Sequence, residues 1–447
     1  MPDSRKRVAD IAFLAALFIY VLAGTALTPP HGDEFMQMSM ARDTFYVLGG
    51  QWNKLAYSPP LIPDTEEYQR LINGTINKSL IGLAWMLSGR GAESLPGIYA
   101  WGNPYDWNQQ QGNVPSDDQL ATARWPSALL TALGVLPMFY IGWQIRRRSV
   151  AYPAAVLFAL HPVILLNGRR AMMEGSLMLF SLLTIAWLIT LVIAEHSASA
   201  GDSVKRLHPA VRYAILGVLA GLAVASKHTG LVVAVAALAG ALIAGLSRDR
   251  SWRPLAWIGL AGVVAFAVWF AFNPGYWNDP LGAAQATLKA RTDLLAFQSS
   301  GNLGYANLGQ RFQGVLAEPF LTPPQFYESE SWAALIAPQI TAYQDSDIDG
   351  WNWGPIIGVV LTLLAGIGLV VVIYDSLHHD KIAWIILIWV AATSVAAMAV
   401  PLAWQRYYLP VLLVAIILAA EGLGRLLVRR PAEMKTPAGV AAPEPAL

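Results

Sequence analysis

The sequence of 447 residues contains no cysteine, and it has few charges for its length. Without cysteine the chain can form no disulfide, no thiolate metal site and no cysteine nucleophile. Charged residues make up 13% of the chain, whereas a soluble domain carries about a quarter. The net charge is only +1, so no basic face is available for a nucleic acid, and we expect no nucleic-acid partner.

Apolar residues are in excess: 55% of the chain is hydrophobic, and its mean hydropathy is +0.44. Apolar runs long enough to cross a bilayer recur along the sequence. Lipid offers no partner to an open backbone, so each such run must be a helix. We therefore predict an all-α polytopic membrane protein. The predicted spans cover residues 11–27, 125–145, 150–166, 176–194, 210–226, 229–246, 255–272, 354–374, 382–400 and 407–423.

The first span has two interpretations. It follows Arg5, Lys6 and Arg7, and small residues at 24–26 suit the cleavage site of a signal peptide. We favour a retained anchor, because a first span inside the membrane keeps the topology of the later spans consistent. Lysines and arginines then concentrate in the connections on the side of the amino terminus. The positive-inside rule makes that side cytoplasmic, with both termini there.

This topology places two long polar segments outside, residues 29–123 and 273–353. Loops of this length are usually functional. The first contains a short apolar helix near 80–87, and the second an amphipathic helix near 281–298, both suited to the membrane interface. A further surface helix is predicted at 35–48. The domain organisation is one transmembrane domain, 1–425, with a disordered cytoplasmic tail, 426–447.

Ionisable residues gather in the outer connections, where a charge near hydrocarbon is costly. On the predicted topology they share one membrane face and can line one cavity. Each also has an ordinary interpretation as a solvated loop acid, a snorkelling cation or an interfacial anchor. These candidate site residues are Asp33, Glu34, Arg124, Arg169, Arg170, Glu174, Lys227, His228, Arg406 and Tyr407.

Carboxylates beside cations suit the transfer of a sugar from a lipid phosphate. An attacking hydroxyl must lose its proton, and a carboxylate can accept it. Arginine and lysine can hold the leaving phosphate. Asp33 follows a span, so partial desolvation is expected to raise its pKa modestly, against any lowering by Arg124 or Arg170.

Five short motifs resemble the GT-C superfamily, and most closely the protein O-mannosyltransferases of glycosyltransferase family 39 and the related aminoarabinose transferases. Asp33-Glu34 is similar to the family's acidic pair after span 1. The other four are A-R-W-P-S-A-L-L at 123–130, N-G-R-R-A-M-M-E at 167–174, S-K-H-T-G at 226–230 and Q-R-Y-Y-L-P at 405–410. The family's His-Pro-Pro-Leu motif is absent, and Asn-Lys-Ser-Leu stands at 77–80 instead.

The resemblance implies an inverting glycosyltransferase with a bundle of about ten transmembrane helices. Its donor would be a polyprenyl-phosphate sugar, most simply a mannose-like hexose. Its acceptor would be a hydroxyl of a protein, lipid or glycan. In the family the first acid of the pair is the general base, which is Asp33 here, and the other nine candidates would bind substrate. The expected location is the plasma membrane of a prokaryote, with the active site outside the cytoplasm.

Three questions stay open from the sequence. A transporter or flippase for a lipid-linked or sugar substrate is the alternative function, although transporters place ionisable residues near the bilayer midplane and often show repeats. A non-catalytic subunit of an envelope glycosylation complex is a third. No fixed metal site is predicted, but Mg²⁺ or Mn²⁺ can be accommodated between the donor phosphate and Asp33, Glu34 or Glu174.

Overall fold

The computed structural model describes residues 2–196, 204, 207–248, 251–300, 304–352 and 354–427. Over these residues the secondary structure is helical, with short 3₁₀ turns and no named strand. This confirms the all-α fold that hydropathy predicts. Most of the predicted tail, 426–447, lies outside the described residues.

The helices of the first half are α1 (Pro2–Ala23), α2 (Gly32–Met40), α3 (Arg42–Leu48), α4 (Glu66–Ile72), α5 (Ile76–Leu87), α6 (Tyr105–Gln110), α7 (Asp117–Arg146), α8 (Arg148–Leu160), α9 (Pro162–Arg169) and α10 (Glu174–His196). Those of the second half are α11 (Pro209–Ser226), α12 (Gly230–Arg248), α13 (Arg253–Phe272), α14 (Pro280–Ser299), α15 (Leu308–Ala317), α16 (Glu330–Leu335), α17 (Ala337–Gln344), α18 (Gly354–Leu377), α19 (Lys381–Ala399) and α20 (Leu409–Leu427).

Eight helices of the described chain are long and apolar enough to cross a membrane: α7, α10, α11, α12, α13, α18, α19 and α20. They coincide with eight of the ten predicted spans. The predicted span 150–166 is instead the pair α8 and α9, which are bent by 56° and form a ninth crossing if counted together. Helix α1 begins among charged residues and ends at Ala23, so its crossing stays a prediction.

The bend between α8 and α9 lies at His161-Pro162. Proline at the first position of α9 lacks the N–H that would continue α8. The His161 Nδ1 accepts a hydrogen bond from the Val163 N–H at 3.2 Å, and its Nε2 lies 2.8 Å from the Pro319 carbonyl. The ring is buried. This kink therefore ties the second long segment to the bundle through a packed histidine.

Helix α20 is the most enclosed span, with almost every residue from Leu409 to Gly424 buried. It packs against α18 along a seam of small residues. A Cβ on Gly368 would lie 1.9 Å from the Leu418 carbonyl oxygen, and a Cβ on Gly422 would lie 2.1 Å from that of Leu364. Only glycine permits such close backbone approach, which lets membrane helices gain van der Waals contact. Residues just before α20 are thereby held on a rigid element.

The first long segment folds into α2 to α6, which pack against the amino-terminal end of α7. The prediction of one surface helix over 35–48 is wrong in two respects. The stretch forms two helices that are broken at Ala41, and the first of them, α2, is buried. A buried ion cluster fixes this region. Asp43 accepts two hydrogen bonds from Arg70, at 2.9 and 2.7 Å, and one from Lys78 at 2.7 Å.

The second long segment contains α14 to α17 and returns across the same end of the bundle. Two glutamines join it to the turn before α20. The Gln325 N–H donates to Gln405 Oε1 at 2.8 Å, and the Gln405 N–H donates to Gln325 Oε1 at 2.9 Å. This reciprocal pair sets the loop beside Arg406, so the second segment forms one wall of the candidate site.

Candidate active site

The acidic pair lies in the first turn of α2, and the local sequence explains its geometry. His31 precedes the helix, and its Nδ1 accepts a hydrogen bond from the Asp33 N–H at 3.1 Å. The Glu34 carboxylate reaches back to the His31 N–H at 3.0 Å, which completes a capping box. Successive helical side chains point in different directions. Consequently the Asp33 side chain is 34% exposed, while Glu34 is fully buried.

Glu34 binds the protein itself. Its carboxylate accepts hydrogen bonds from Arg124 Nε and Nη2 at 2.7 and 2.9 Å and from the Ala171 N–H at 2.8 Å. Arg124 is also buried. Burial would raise the pKa of Glu34, but the Arg124 charge and these bonds keep it below its usual value. The two predicted substrate-binding residues are thus paired with each other, and they join α2, α7 and the turn after α9.

Asp33 faces a different cation. Its Oδ2 pairs with Arg406 Nη1, and Arg406 comes from the 3₁₀ turn Gln405–Tyr408. Burial would raise the pKa of Asp33, yet the guanidinium of Arg406 outweighs it and holds the pKa below its ordinary value. The expected modest rise is therefore not found, and the cation responsible is Arg406 rather than Arg124 or Arg170.

A second ion pair lies close to the first. Lys227, in the turn between α11 and α12, donates to Glu174 Oε1 at 2.7 Å. The Lys227 Nζ also lies 5.0 Å from the centre of the Tyr407 ring. The Arg406 guanidinium lies 5.8 Å from the same ring, so Tyr407 sits between the two cations. The structure therefore brings Asp33, Glu174, Lys227, Arg406 and Tyr407 together from four parts of the chain.

Arg169 and Arg170, the paired arginines of the 167–174 motif, are predicted to bind substrate, but both are buried inside the protein. Arg169 is fully buried and donates to the carbonyls of Val21 and Tyr20, at 2.7 and 2.8 Å. Arg170 donates to the Pro29 carbonyl at 3.0 Å and the Phe326 carbonyl at 2.7 Å. These bonds hold the end of α1 and the second segment in place. Contact of either arginine with a substrate stays a prediction, because these hydrogen bonds are all to backbone carbonyls of the protein.

His228 adjoins Lys227 and is half-buried. Burial and the neighbouring charges of Arg291 and Lys227 lower the pKa of its imidazole to about 4. The ring is therefore neutral at physiological pH. It can donate or accept a hydrogen bond there, but it adds no positive charge to hold a phosphate.

Sequence reasoning missed Glu328 and His31. Glu328 Oε1 lies 2.8 Å from Arg406 Nε, and its Oε2 lies 2.8 Å from His31 Nε2. The Arg406 guanidinium and the interaction with His31 hold the pKa of Glu328 well below its usual range despite its burial. His31 stands beside the acidic pair, so a helix-cap search would have found it. Glu328 is almost 300 residues away in an irregular stretch, and no local pattern marks it.

The segment that replaces the His-Pro-Pro-Leu motif begins α5. Lys78 is buried and bonded to Asp43, which removes it from the candidate site. Both side-chain amide atoms of Asn77 are buried without a hydrogen-bond partner among the described residues. Ser79 donates to the Thr75 carbonyl at 2.8 Å. Lys78 and Ser79 are therefore bonded within the protein, whereas the Asn77 amide is not.

The acidic groups are already bound to cations, which bears on metal binding. Asp33, Glu34 and Glu174 each pair with an arginine or lysine. In the described part of the chain no group of three or more histidine or acidic side chains is arranged to hold an ion. A divalent cation at any of these carboxylates would have to compete with the cation now bound.

A cavity of about 440 Å³ lies at the opposite end of the bundle. Its charged lining is paired internally. Arg146 binds Glu421 at 2.6 Å, and Arg425 binds Asp375 at 3.2 Å. This cavity is separate from the Asp33 cluster, because Arg146 ends α7 whereas Arg124 lies near its start.

Comparison with known proteins gives both a family match and a fold match. Residues 74–276, somewhat less than half of the chain, match the family model of dolichyl-phosphate-mannose-protein mannosyltransferases. No curated protein sequence matches the chain. Among solved structures, the archaeal oligosaccharyltransferase AglB of Archaeoglobus fulgidus, in complex with an inhibitory peptide and a dolichol-phosphate, is similar with a TM-score of 0.53 and 14% identity. That match covers 93% of this chain and 50% of the archaeal one.

ArnT of Cupriavidus metallidurans, bound to undecaprenyl phosphate, is similar to the same degree. Its TM-score is 0.53 at 13% identity, over 94% of this chain and 60% of its own. The chain thus spans between half and three fifths of the length of these two proteins. At such low identity the likeness concerns the fold. Together, the partial family match and the shared fold make this multi-pass membrane protein similar to the glycosyltransferases of the GT-C superfamily.

Proposed function

We propose that the protein transfers a single sugar from a polyprenyl-phosphate donor to an acceptor hydroxyl, with inversion at the anomeric carbon. The donor sugar we expect is a mannose-like hexose, because the matched family is one of mannosyltransferases. The observation that carries the proposal is a partly exposed carboxylate, Asp33, paired with Arg406, with Lys227 near the same site across the Tyr407 ring. This arrangement supplies one proton acceptor and a binding place for one phosphate.

The reaction follows from these groups. The acceptor oxygen attacks the anomeric carbon from the face opposite the phosphate, and its proton passes to the Asp33 carboxylate. The bond between the anomeric carbon and the phosphate oxygen breaks, and its electron pair stays with the phosphate. Arg406 and Lys227 stabilise the growing negative charge of that leaving group. No acid is needed, because the phosphate leaves as an anion, in contrast to glycoside hydrolysis with two carboxyl groups.

The acceptor we favour is a protein hydroxyl, with lipid and glycan hydroxyls as the other candidates. The matched family acts on proteins by its description, and the archaeal neighbour was solved with an inhibitory peptide. We further propose that the protein lies in a prokaryotic plasma membrane, with the Asp33 cluster on the outer side. The basic residues at the opposite end of the bundle, such as Arg146 and Arg148, support that orientation by the positive-inside rule.

The test is transfer by the purified protein from a panel of polyprenyl-phosphate sugars to peptide, lipid and glycan acceptors, with mass analysis of the products. The expected result is one added hexose per acceptor hydroxyl and release of polyprenyl phosphate. Movement of an intact lipid-linked sugar across a vesicle membrane, with no product formed, would contradict the proposal and favour a flippase.

A further inference from the structure

Asp33, His31, Glu328 and Arg406 come from three segments of the chain and form a closed ring of contacts. The Asp33 N–H binds His31 Nδ1 at 3.1 Å, so the other ring nitrogen of His31 carries the proton and donates to Glu328 Oε2 at 2.8 Å. Glu328 Oε1 lies 2.8 Å from Arg406 Nε, and Arg406 Nη1 pairs with Asp33 Oδ2. The second long segment, through Glu328, thus becomes part of the site.

Arg406 is held from two sides by unequal partners. The Glu328 side chain is 10% exposed and forms an ion pair with Nε, the inner nitrogen of the guanidinium, although the angle at Nε is not that of a hydrogen bond. The Asp33 side chain is 34% exposed and contacts a terminal nitrogen. The remaining terminal nitrogen, Nη2, has no contact assigned among the described residues. The edge formed by Nη1 and Nη2 lies on the side of the more exposed Asp33, and such an edge matches the two oxygens of a phosphate.

The present contact between Asp33 and Arg406 conflicts with the proposed reaction. In an inverting displacement the attacking oxygen and the leaving oxygen lie on opposite sides of the anomeric carbon. The base must reach the first and the phosphate-binding cation must reach the second, so the sugar must stand between them. Asp33 and Arg406 cannot stay in contact while this happens.

We propose that Glu328 is a positioning residue that keeps Arg406 in place through Nε while the terminal edge of Arg406 exchanges Asp33 for the phosphate of the donor. This inference rests on the proposed function. After the exchange Arg406 still has a carboxylate partner, and Asp33 has lost its cation. Asp33 then becomes a better proton acceptor only when a donor is bound. The two acids therefore have opposite effects on the affinity of Arg406 for the phosphate. Asp33 competes with the phosphate, whereas Glu328 orients the arginine to bind it.

The experiment measures binding of undecaprenyl phosphate to the purified full chain in phosphatidylcholine nanodiscs, which needs no acceptor. Asp33→Asn removes the competitor, so we expect binding about threefold to tenfold tighter than in the wild type. Glu328→Gln removes a nearby negative charge, yet we expect weaker binding by a similar factor, because Arg406 loses its orientation. Glu328→Asp keeps the charge on a shorter side chain, so its affinity should lie between that of the wild type and that of Glu328→Gln. Glu330→Gln, at an exposed acid two residues away, is the control and should leave the affinity unchanged.

Both effects should vanish in an Arg406→Ala background, because both acids act through that arginine. A loss of structure alone would weaken binding in either background and would appear as a lower melting temperature. If Glu328→Gln tightens binding as Asp33→Asn does, Glu328 is a second competitor and the inference is overturned. If Arg406→Ala itself leaves the affinity unchanged, the phosphate site of the proposed function is wrong instead.

Discussion

Glu34→Gln is the substitution for which sequence and structure lead to different expectations. The sequence alone predicts a milder change than Asp33→Asn, because the family resemblance favours Asp33 as the base. In the structure Glu34 is fully buried and accepts two bonds from Arg124 and one from the Ala171 N–H. Glutamine keeps the shape but leaves the Arg124 charge buried without its counter-ion. Removing one partner of such a pair costs about 3–5 kcal/mol.

The assay measures the melting temperature of the purified protein in detergent. After heating to each temperature, the fraction that still elutes as a monodisperse peak is determined. Glu34→Gln should lower the midpoint by about 5 °C or more, whereas the exposed control Glu330→Gln should not change it. Adding Arg124→Met to Glu34→Gln should restore part of the loss, since the unpaired charge is gone. If Glu34→Gln melts with the wild type, the structural role assigned to this pair is refuted.

Three further outcomes follow from the site and its surroundings. Lys227→Met should lower the transfer rate by roughly 30- to 1000-fold, corresponding to about 2–4 kcal/mol of transition-state stabilisation; an unchanged rate in the folded variant would remove Lys227 from the phosphate site. Burial raises the pKa of Glu318 to about 7, above its unfolded value, so its contribution to stability is present at low pH and is lost as pH rises towards 7 and beyond. Glu318→Gln should then flatten the fall in melting temperature between pH 5 and pH 8, and an unaltered pH profile would contradict the assignment. Exhaustive chelation should leave transfer intact, because the acids of the site are bound to cations; loss of activity restored by Mg²⁺ or Mn²⁺ would show that an ion displaces one of those cations.

The spans were predictable because hydropathy acts over twenty residues and lipid permits only helices. Eight of ten coincide with a helix long enough to cross; seven were placed within a few residues at both ends, and α7 begins eight residues before its predicted span. The exceptions are local: the break at His161 was visible in Pro162, but its 56° angle depends on packing against the second segment. The end of α1 at Ala23 depends on tertiary contacts such as the bonds from Arg169 to its last carbonyls.

The site was predictable in part. The motifs contained Asp33, Lys227 and Arg406, because the short turns between spans place their charges at one end of the bundle. The sequence could not distinguish charges available to a substrate from charges that hold the protein together, because both occur in the same turns. Arg169 and Glu34 belong to the second kind, as their complete burial and their several hydrogen bonds within the protein show. Glu328 reaches the site through the fold of a long loop, which no periodicity encodes.

The central claim is that Asp33 takes the proton of the acceptor during sugar transfer. Its most direct test is the single-turnover rate of Asp33→Asn with saturating donor and acceptor, because this measures the chemical step apart from binding and product release. Asparagine keeps the shape and removes the proton acceptor, so the rate should fall about a hundredfold or more, while the melting temperature stays near that of the wild type. Transfer by folded Asp33→Asn protein at the wild-type rate would contradict the assignment of Asp33 as the base.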